Sequence, residues 1–356
     1  MANIDILLTE MIKSGASDLH MAAGLPPMLR LKGDLVPTKH PQLTHQINEQ
    51  FFFEILSPEQ QRRLQTTLEL DQAYEIEGLA RFRCNYFYQL RGVSAVFRQI
   101  PTKIKSLDDL GMPAGVSNIL KITRGLILVT GPTGSGKSTT LAAIIDHINN
   151  ASEQHVITIE DPLEFVHENR KSLITQREIG THARSFSDAL RVASREDPDI
   201  ILVGEMRDLE TISLALTCSE LGILVFGTLH TNSAVKTIDR IINAFPANQQ
   251  NQIRSMLSDS VKAILAQQLL KTADGHGRCA AVEILISSPA VGNMIRENKL
   301  SQIASVIQTG TSEGMQTMDQ ALQTLVDTKR ITPEAAYWKA IDKTSFANQC
   351  SSDIIE

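Results

Sequence analysis

The sequence predicts an α/β protein, with a phosphate-loop domain of alternating strands and helices behind a smaller α+β domain. Three observations carry this. The stretch Gly131-Pro-Thr-Gly-Ser-Gly-Lys-Ser138 fits G-x-x-x-x-G-K-[ST], between an apolar run at 125–130 and a helical period of Leu141, Ile144, Ile145 and Ile148. From Gly125 onward, short apolar runs at 126–130, 156–159, 200–203 and 224–228 alternate with helical stretches. That alternation argues for a mainly parallel sheet with helices on both faces. Finally, at 356 residues the chain is long for one core, and its first hundred residues follow a different pattern.

Along the chain, Ile4, Leu7, Leu8, Met11 and Ile12 share one helical face, and Ser14 to Ser17 end that helix. Short strands are predicted at 18–21, at 28–31 after Pro26-Pro27, and at 35–36 after the Gly33-Asp34 turn. A helix over about 48–65 precedes strands at 73–77, 80–89 and 93–100, with turns at Gly78 and Arg91-Gly92. The first domain is thus expected over 1–101, a polar linker over 102–117 and the phosphate-loop domain over 118–356. Arg278 to Ile286 reads as one further strand, and the rest of the C-terminal part as helical. Residues 344–356 are polar and read as loose.

Composition narrows the function. With 42% hydrophobic and 21% charged residues the chain resembles ordinary soluble globular material. Its net charge of −6 offers no global basic field for nucleic acid. No apolar run approaches the ~20 residues that span a bilayer, and the start lacks the cationic end of a signal peptide. Membrane contact is therefore expected through a partner, and the location is expected to be cytoplasmic. Cys84, Cys218, Cys279 and Cys350 form no C-x-x-C pair, which argues against a zinc ribbon.

The phosphate loop assigns nucleotide contacts to Gly131, Pro132, Thr133, Gly134, Ser135, Gly136, Lys137, Ser138 and Thr139. Glycines let backbone N–H groups close round a phosphate, and the following helix N-terminus adds positive potential. Lys137 is expected on the β- and γ-phosphates of ATP, and Ser138 on Mg²⁺. Asp199-Ile-Ile-Leu-Val-Gly-Glu205 is an apolar strand ending in a carboxylate, placed to hold the Mg²⁺ shell through water. Glu160, Asp161 and Glu164 crowd behind another strand, and local sequence does not say which faces the γ-phosphate. His230 also follows a strand, either as a phosphate sensor or as hydrogen-bonded structure. In the first domain, Arg81, Arg83 and Asn85 share one strand face, and Arg98 ends the next strand. Such a row is either a solvated face or a source of charge for a neighbouring subunit's γ-phosphate.

These motifs, in this order, resemble the secretion and type IV pilus ATPases, and among them the pilus retraction ATPases. The likeness runs from Ser17-Asp-Leu-His-Met21 to Met315-Gln-Thr-Met318. It rests on Arg81-Phe-Arg83, the phosphate loop, Ile159-Glu-Asp-Pro-Leu-Glu164, residues 195–208, Gly227-Thr-Leu-His-Thr231 and Gly292-Asn-Met-Ile-Arg-Glu297. The resemblance implies a PAS-like first domain, a RecA-like ATPase domain and a homo-hexamer that acts on an inner-membrane pilus platform protein and, through it, on pilin. It also implies that Glu164 activates water, that Glu205 is the Walker B carboxylate, that His230 lies on the family's histidine box, and that Arg81, Arg83 or Arg98 reaches across to a neighbour's ATP. Two positions depart from the pattern: Ile223 stands where relatives often carry a histidine, and Gly292 where an arginine is expected.

Three other readings are weaker. Extension and secretion ATPases are longer at the N-terminus and often carry a four-cysteine zinc insertion. A DNA translocase is disfavoured by the acidic balance. A non-hydrolysing scaffold is disfavoured by the joint presence of Lys137, Ser138, Glu164 and Glu205.

Overall fold

The computed structural model describes residues 2–31, 33–100 and 104–350, which divide into two units. The expected boundary at residue 101 and the first linker residues, 102 and 103, lie outside the described residues. Residues from Ile104 onward group with the second unit rather than forming a linker to 117. The reason is apolar: Val116 and Ile119 are buried in that unit's core, with Leu107 and Met112 packed against it. A short excursion, Pro162–Val166, groups with the first unit.

In the first unit, helix Ile4–Ser14 precedes β1 (Asp18–Met21), β2 (Met28–Leu31) and β3 (Asp34–Pro37). Helices His45–Phe53 and Pro58–Thr67 then lead to β4 (Glu69–Ile76), β5 (Ala80–Gln89) and β6 (Gly92–Ile100). The expected single helix over 48–65 is two helices. Pro58 lacks an N–H and drives Ser57 out of the helical region, so a new helix starts there with a Ser57–Gln60 capping box. All six strands form one sheet in the order β3-β2-β1-β6-β5-β4, antiparallel at every pair. On β5, Phe82, Cys84 and Tyr86 are buried while Arg81, Arg83 and Asn85 are only half-buried. The buried face is anchored by Phe52, Tyr86 and Phe97, with edge-to-face ring centroids 5.3 and 5.7 Å apart.

In the second unit, β7 (Gly125–Thr130), β8 (His155–Glu160), β9 (Leu173–Glu178), β10 (Ile200–Val203), β11 (Leu224–Leu229), β12 (Val261–Lys271) and β13 (Arg278–Ile286) form a seven-stranded sheet. Its order is β13-β12-β7-β11-β10-β8-β9. Every pair is parallel except the β12–β13 hairpin. Successive residues of β7 feed opposite cores, Leu126 and Leu128 on one face, Ile127 and Val129 on the other. Two strands go beyond the sequence expectation. β12 was expected to be helical because a short apolar run buried on both faces has no period that separates strand from helix. β9 is a half-polar strand at the sheet's edge. The C-terminal part is helical after β13, and it stays packed through helix Thr344–Ala347, where Phe346 is buried. The looseness expected for 344–356 therefore does not hold at 344–347, and 351–356 lie outside the described residues.

Candidate active site at the C-terminal edge of the parallel sheet

β7 ends at Thr130 and hands the chain to Gly131, whose φ of 147° suits glycine alone. A Cβ there would lie 2.2 Å from the Gln267 carbonyl oxygen on β12, so the loop leaves the sheet against a wall that admits no side chain. Gly136 caps helix Lys137–Ala151 in the left-handed region, with no side-chain cap bond on the first-turn amides. Those donors and the helix dipole make an anion site. Lys137 Nζ donates to the carbonyls of Gly131 at 2.9 Å and Pro132 at 3.1 Å, which holds the ammonium over the loop. Ser135 is buried and its Oγ lacks a hydrogen-bond partner. An unpaired buried hydroxyl is costly, and a phosphate oxygen suits it. Ser138 and Thr139 are half-buried on the helix's first turn, while Pro132, Thr133 and Gly134 are exposed.

Two strands away, β10 ends at Val203 and Gly204 passes Glu205 over the sheet edge. The Gly204 N–H donates to the Ile159 carbonyl at 2.8 Å, and the Met206 N–H to the Thr228 carbonyl at 3.0 Å. Gly227 is needed on β11, since a Cβ there would sit 2.3 Å from Met206 Sδ. This crossing fixes Glu205 beside a guanidinium and an imidazole: Arg207 Nε lies 2.6 Å from Glu205 Oε1, and His230 Nε2 lies 2.9 Å from the same oxygen. Burial raises the Glu205 carboxyl, but the Arg207 hydrogen bond and charge, joined by those of His230, outweigh it and hold it below the usual carboxylate range. The carboxylate thus stays ionised. His230 is hydrogen-bonded to Glu205, as the structural reading of this residue requires, and its half-exposed ring leaves the phosphate-sensing reading open as well.

A chain of threonines, buried at Thr130 and Thr237, ties this edge together. Thr237 Oγ1 lies 2.6 Å from Thr231 Oγ1 and 3.4 Å from Thr130 Oγ1, and its hydroxyl donates to the Ser233 carbonyl at 2.8 Å. The segment after His230 is thereby anchored to the strand that carries the phosphate loop. Lys137, Ser138, Glu205 and His230 all lie at this edge, where ligands bind in open α/β sheets. Glu160 ends β8 and accepts from Thr158 Oγ1 at 2.8 Å. Glu164, exposed between buried Leu163 and Phe165, belongs to the excursion grouped with the first unit.

The arginines also belong to the first unit. Arg83 on β5 pairs in register with Arg98 on β6, and Arg98 with Asp18 on β1. Arg98 is itself paired, its Nε donating to Asp18 Oδ1 at 2.7 Å. Burial pushes the Asp18 carboxyl up, but hydrogen bonds from Ser17 and Arg98 bring it below its ordinary value. Arg81 reaches Glu75 on β4, with Nη1 and Oε2 3.4 Å apart.

Both departures from the family pattern have structural addresses. Ile223 lies just before β11, about 20 Å along the strand from His230 at ~3.3 Å per residue, so the change does not touch the phosphate-loop edge. Gly292 lies on helix Pro289–Arg296, where a Cβ would come 3.1 Å from the Ser258 carbonyl, and neighbouring Arg296 bonds Ser258 and Asp259. Sequence reasoning missed Gln267, Arg207 and Thr237. Arg207 stood in a quoted motif, but Gln267 and Thr237 acquire meaning only once β12 and the helix Ala234–Asn243 are placed.

A family model described as "Type II/IV secretion system protein" matches residues 1–340. The chain belongs to this family. It is 53% identical over 338 residues to the type IV pilus retraction ATPase PilT of Pseudomonas aeruginosa, covering 95% of this chain and 98% of that one. It is 51% identical over 344 residues to a twitching motility protein of Neisseria gonorrhoeae, covering 97% and 92%. Its fold is similar to the crystal structure of the pilus retraction motor PilT with bound ADP, with a TM-score of 0.90 and 45% identity over 97% of this chain and 98% of that one. The resemblance to the retraction ATPases is borne out, as is an α/β ATPase fold carrying an N-terminal unit. This family member is an ATPase and binds nucleotide. Among the described residues, no helix is long and apolar enough to cross a membrane.

Proposed function

We propose that this ATPase is the motor of type IV pilus retraction, a cytoplasmic homo-hexamer docked at the inner membrane on a pilus platform protein, through which it withdraws pilin. The observation that carries this reading is that the likeness to retraction ATPases runs through both units, not the phosphate-loop unit alone. In this reading Gly131, Pro132, Thr133, Gly134, Ser135, Gly136 and Thr139 cradle the phosphates, and Lys137 neutralises them. Ser138, and Glu205 through water, hold Mg²⁺. Among the described residues no three His, Cys, Asp or Glu side chains converge as a metal cage. A metal held by Ser138 and, through water, by Glu205 would leave most of its shell to substrate phosphates and water. When bound, such a metal would supply neutralisation of the nucleotide's phosphate charge. Glu164 orients the attacking water, and Arg81, Arg83 and Arg98 supply charge to the ATP of an adjacent subunit. Deleting the gene and scoring piliation and twitching tests the direction of force. Hyperpiliated, non-twitching cells are expected. Bald cells would instead assign the motor to extension.

A further inference from the structure

The phosphate loop leans on one polar side chain that lies more than a hundred residues away in sequence. Gln267 on β12 is 2% exposed, a buried polar side chain on a strand whose Lys262, Gln268 and Lys271 are not buried. Its Nε2 donates to the Ser135 carbonyl at 2.7 Å, and its Oε1 accepts from Thr140 Oγ1 at 2.9 Å. Ser135 is the loop residue just before Gly136, and Thr140 is a fully buried residue of the helix that follows. The amide therefore bridges the loop to the first turns of its own helix. Gly136 conforms to it, since a Cβ there would lie 2.9 Å from Gln267 Nε2, and the backbone carbonyl of the same residue separately bars a Cβ at Gly131, at 2.2 Å.

We propose that Gln267 is a positioning residue for ATP, a strut that holds the Ser135–Gly136 peptide so that the adjacent N–H groups face the phosphates. The inference rests on the reading of 131–138 as the phosphate loop. The Ser135 carbonyl is turned away from the nucleotide side by its bond to the amide, and the peptide's N–H must then point the opposite way. Removing the amide leaves the Ser135 carbonyl and the Thr140 hydroxyl buried without partners, and the loop loses its fixed orientation. Gln267 touches no substrate in this scheme. It acts through the loop.

The test uses the full chain and the affinity for ATP at fixed Mg²⁺. Gln267→Leu should weaken ATP binding about tenfold and Thr140→Val about threefold, the range for removing one or two buried hydrogen bonds. The double variant should lose no more than Gln267→Leu alone, because both act through one contact. Gln267→Glu supplies a readout that a packing role would not move. A protonated carboxyl still donates to the Ser135 carbonyl, whereas a carboxylate faces it acceptor to acceptor. That variant should bind ATP nearly as wild type at about pH 5 and lose affinity steeply by about pH 8, a profile the wild type lacks. Should Gln267→Leu fail to fold, Thr140→Val and the pH profile decide the matter. Wild-type affinity in Thr140→Val together with a wild-type pH profile in Gln267→Glu would overturn the strut. Lys137→Ala measured alongside keeps the two readings apart. Normal turnover in it sinks the phosphate-loop assignment, whereas lost turnover with unaltered Gln267 variants sinks only the strut.

Discussion

Every residue of β7 is buried, whereas on β5 buried Phe82, Cys84 and Tyr86 alternate with half-buried Arg81, Arg83 and Asn85. The difference follows from what covers each sheet. Parallel strands joined by helical crossovers are packed on both faces, so the strand itself has no room for a charge. Polar chemistry is then displaced to the loops at the strand ends, where Lys137, Glu205 and His230 stand. The antiparallel sheet needs one apolar face only, and its other face carries its charges along the strands. Arg83 and Arg98 lie directly opposite each other there, a like-charge pairing that costs stability. Asp18 answers Arg98 on the adjacent strand. The parallel sheet thus gathers its polar groups at one edge, whereas the antiparallel sheet spreads them over a face.

Two experiments break or sharpen this contrast. The larger effect belongs to the edge. Lys137→Ala should lower ATP turnover by about 10³-fold or more, since one cation is lost from a site built around phosphate charge. Steady-state hydrolysis by the purified variant measures it, and near-normal turnover would remove the edge from the chemistry. The smaller effect belongs to the face. Arg83→Ala should cost about 10²-fold, less than a lone arginine finger, because Arg81 and Arg98 share its surface. Mixing it with Lys137→Ala subunits should restore part of the activity, each subunit supplying what the other lacks. Confirmed mixed rings with no recovery would leave the arginines as a solvated face.

Much of this was legible in the sequence where local chemistry dictates structure. Gly131 to Ser138 announced itself through glycines whose left-handed conformations the structure requires, and 80–89 through strict alternation. The six strands of the first unit were each anticipated. What escaped notice depended on long-range contacts. β12 has the composition of a buried helix, and only its pairing between β7 and β13 makes it a strand. With β12 unassigned, Gln267 had no reason to stand out among neighbouring glutamines. The division of the helix at Ser57-Pro58 is locally encoded, by a proline and a capping box, although the apolar spacing on either side continues as one period. The excursion 162–166 and the burial of Val116 and Ile119 likewise reflect tertiary packing that no local period reports.

In the proposed mechanism Glu205 is an ionised carboxylate held at the sheet edge for the transition state rather than for nucleotide binding. Measuring ATP affinity and turnover together in Glu205→Gln tests this most directly. The substitution keeps the side chain's shape and an oxygen for Arg207 or His230, and it removes the charge. The variant should bind ATP with wild-type affinity and lose turnover by about a hundredfold or more. Wild-type turnover, or a loss of ATP binding that accounts for the whole defect, would contradict the assignment of chemistry to this edge.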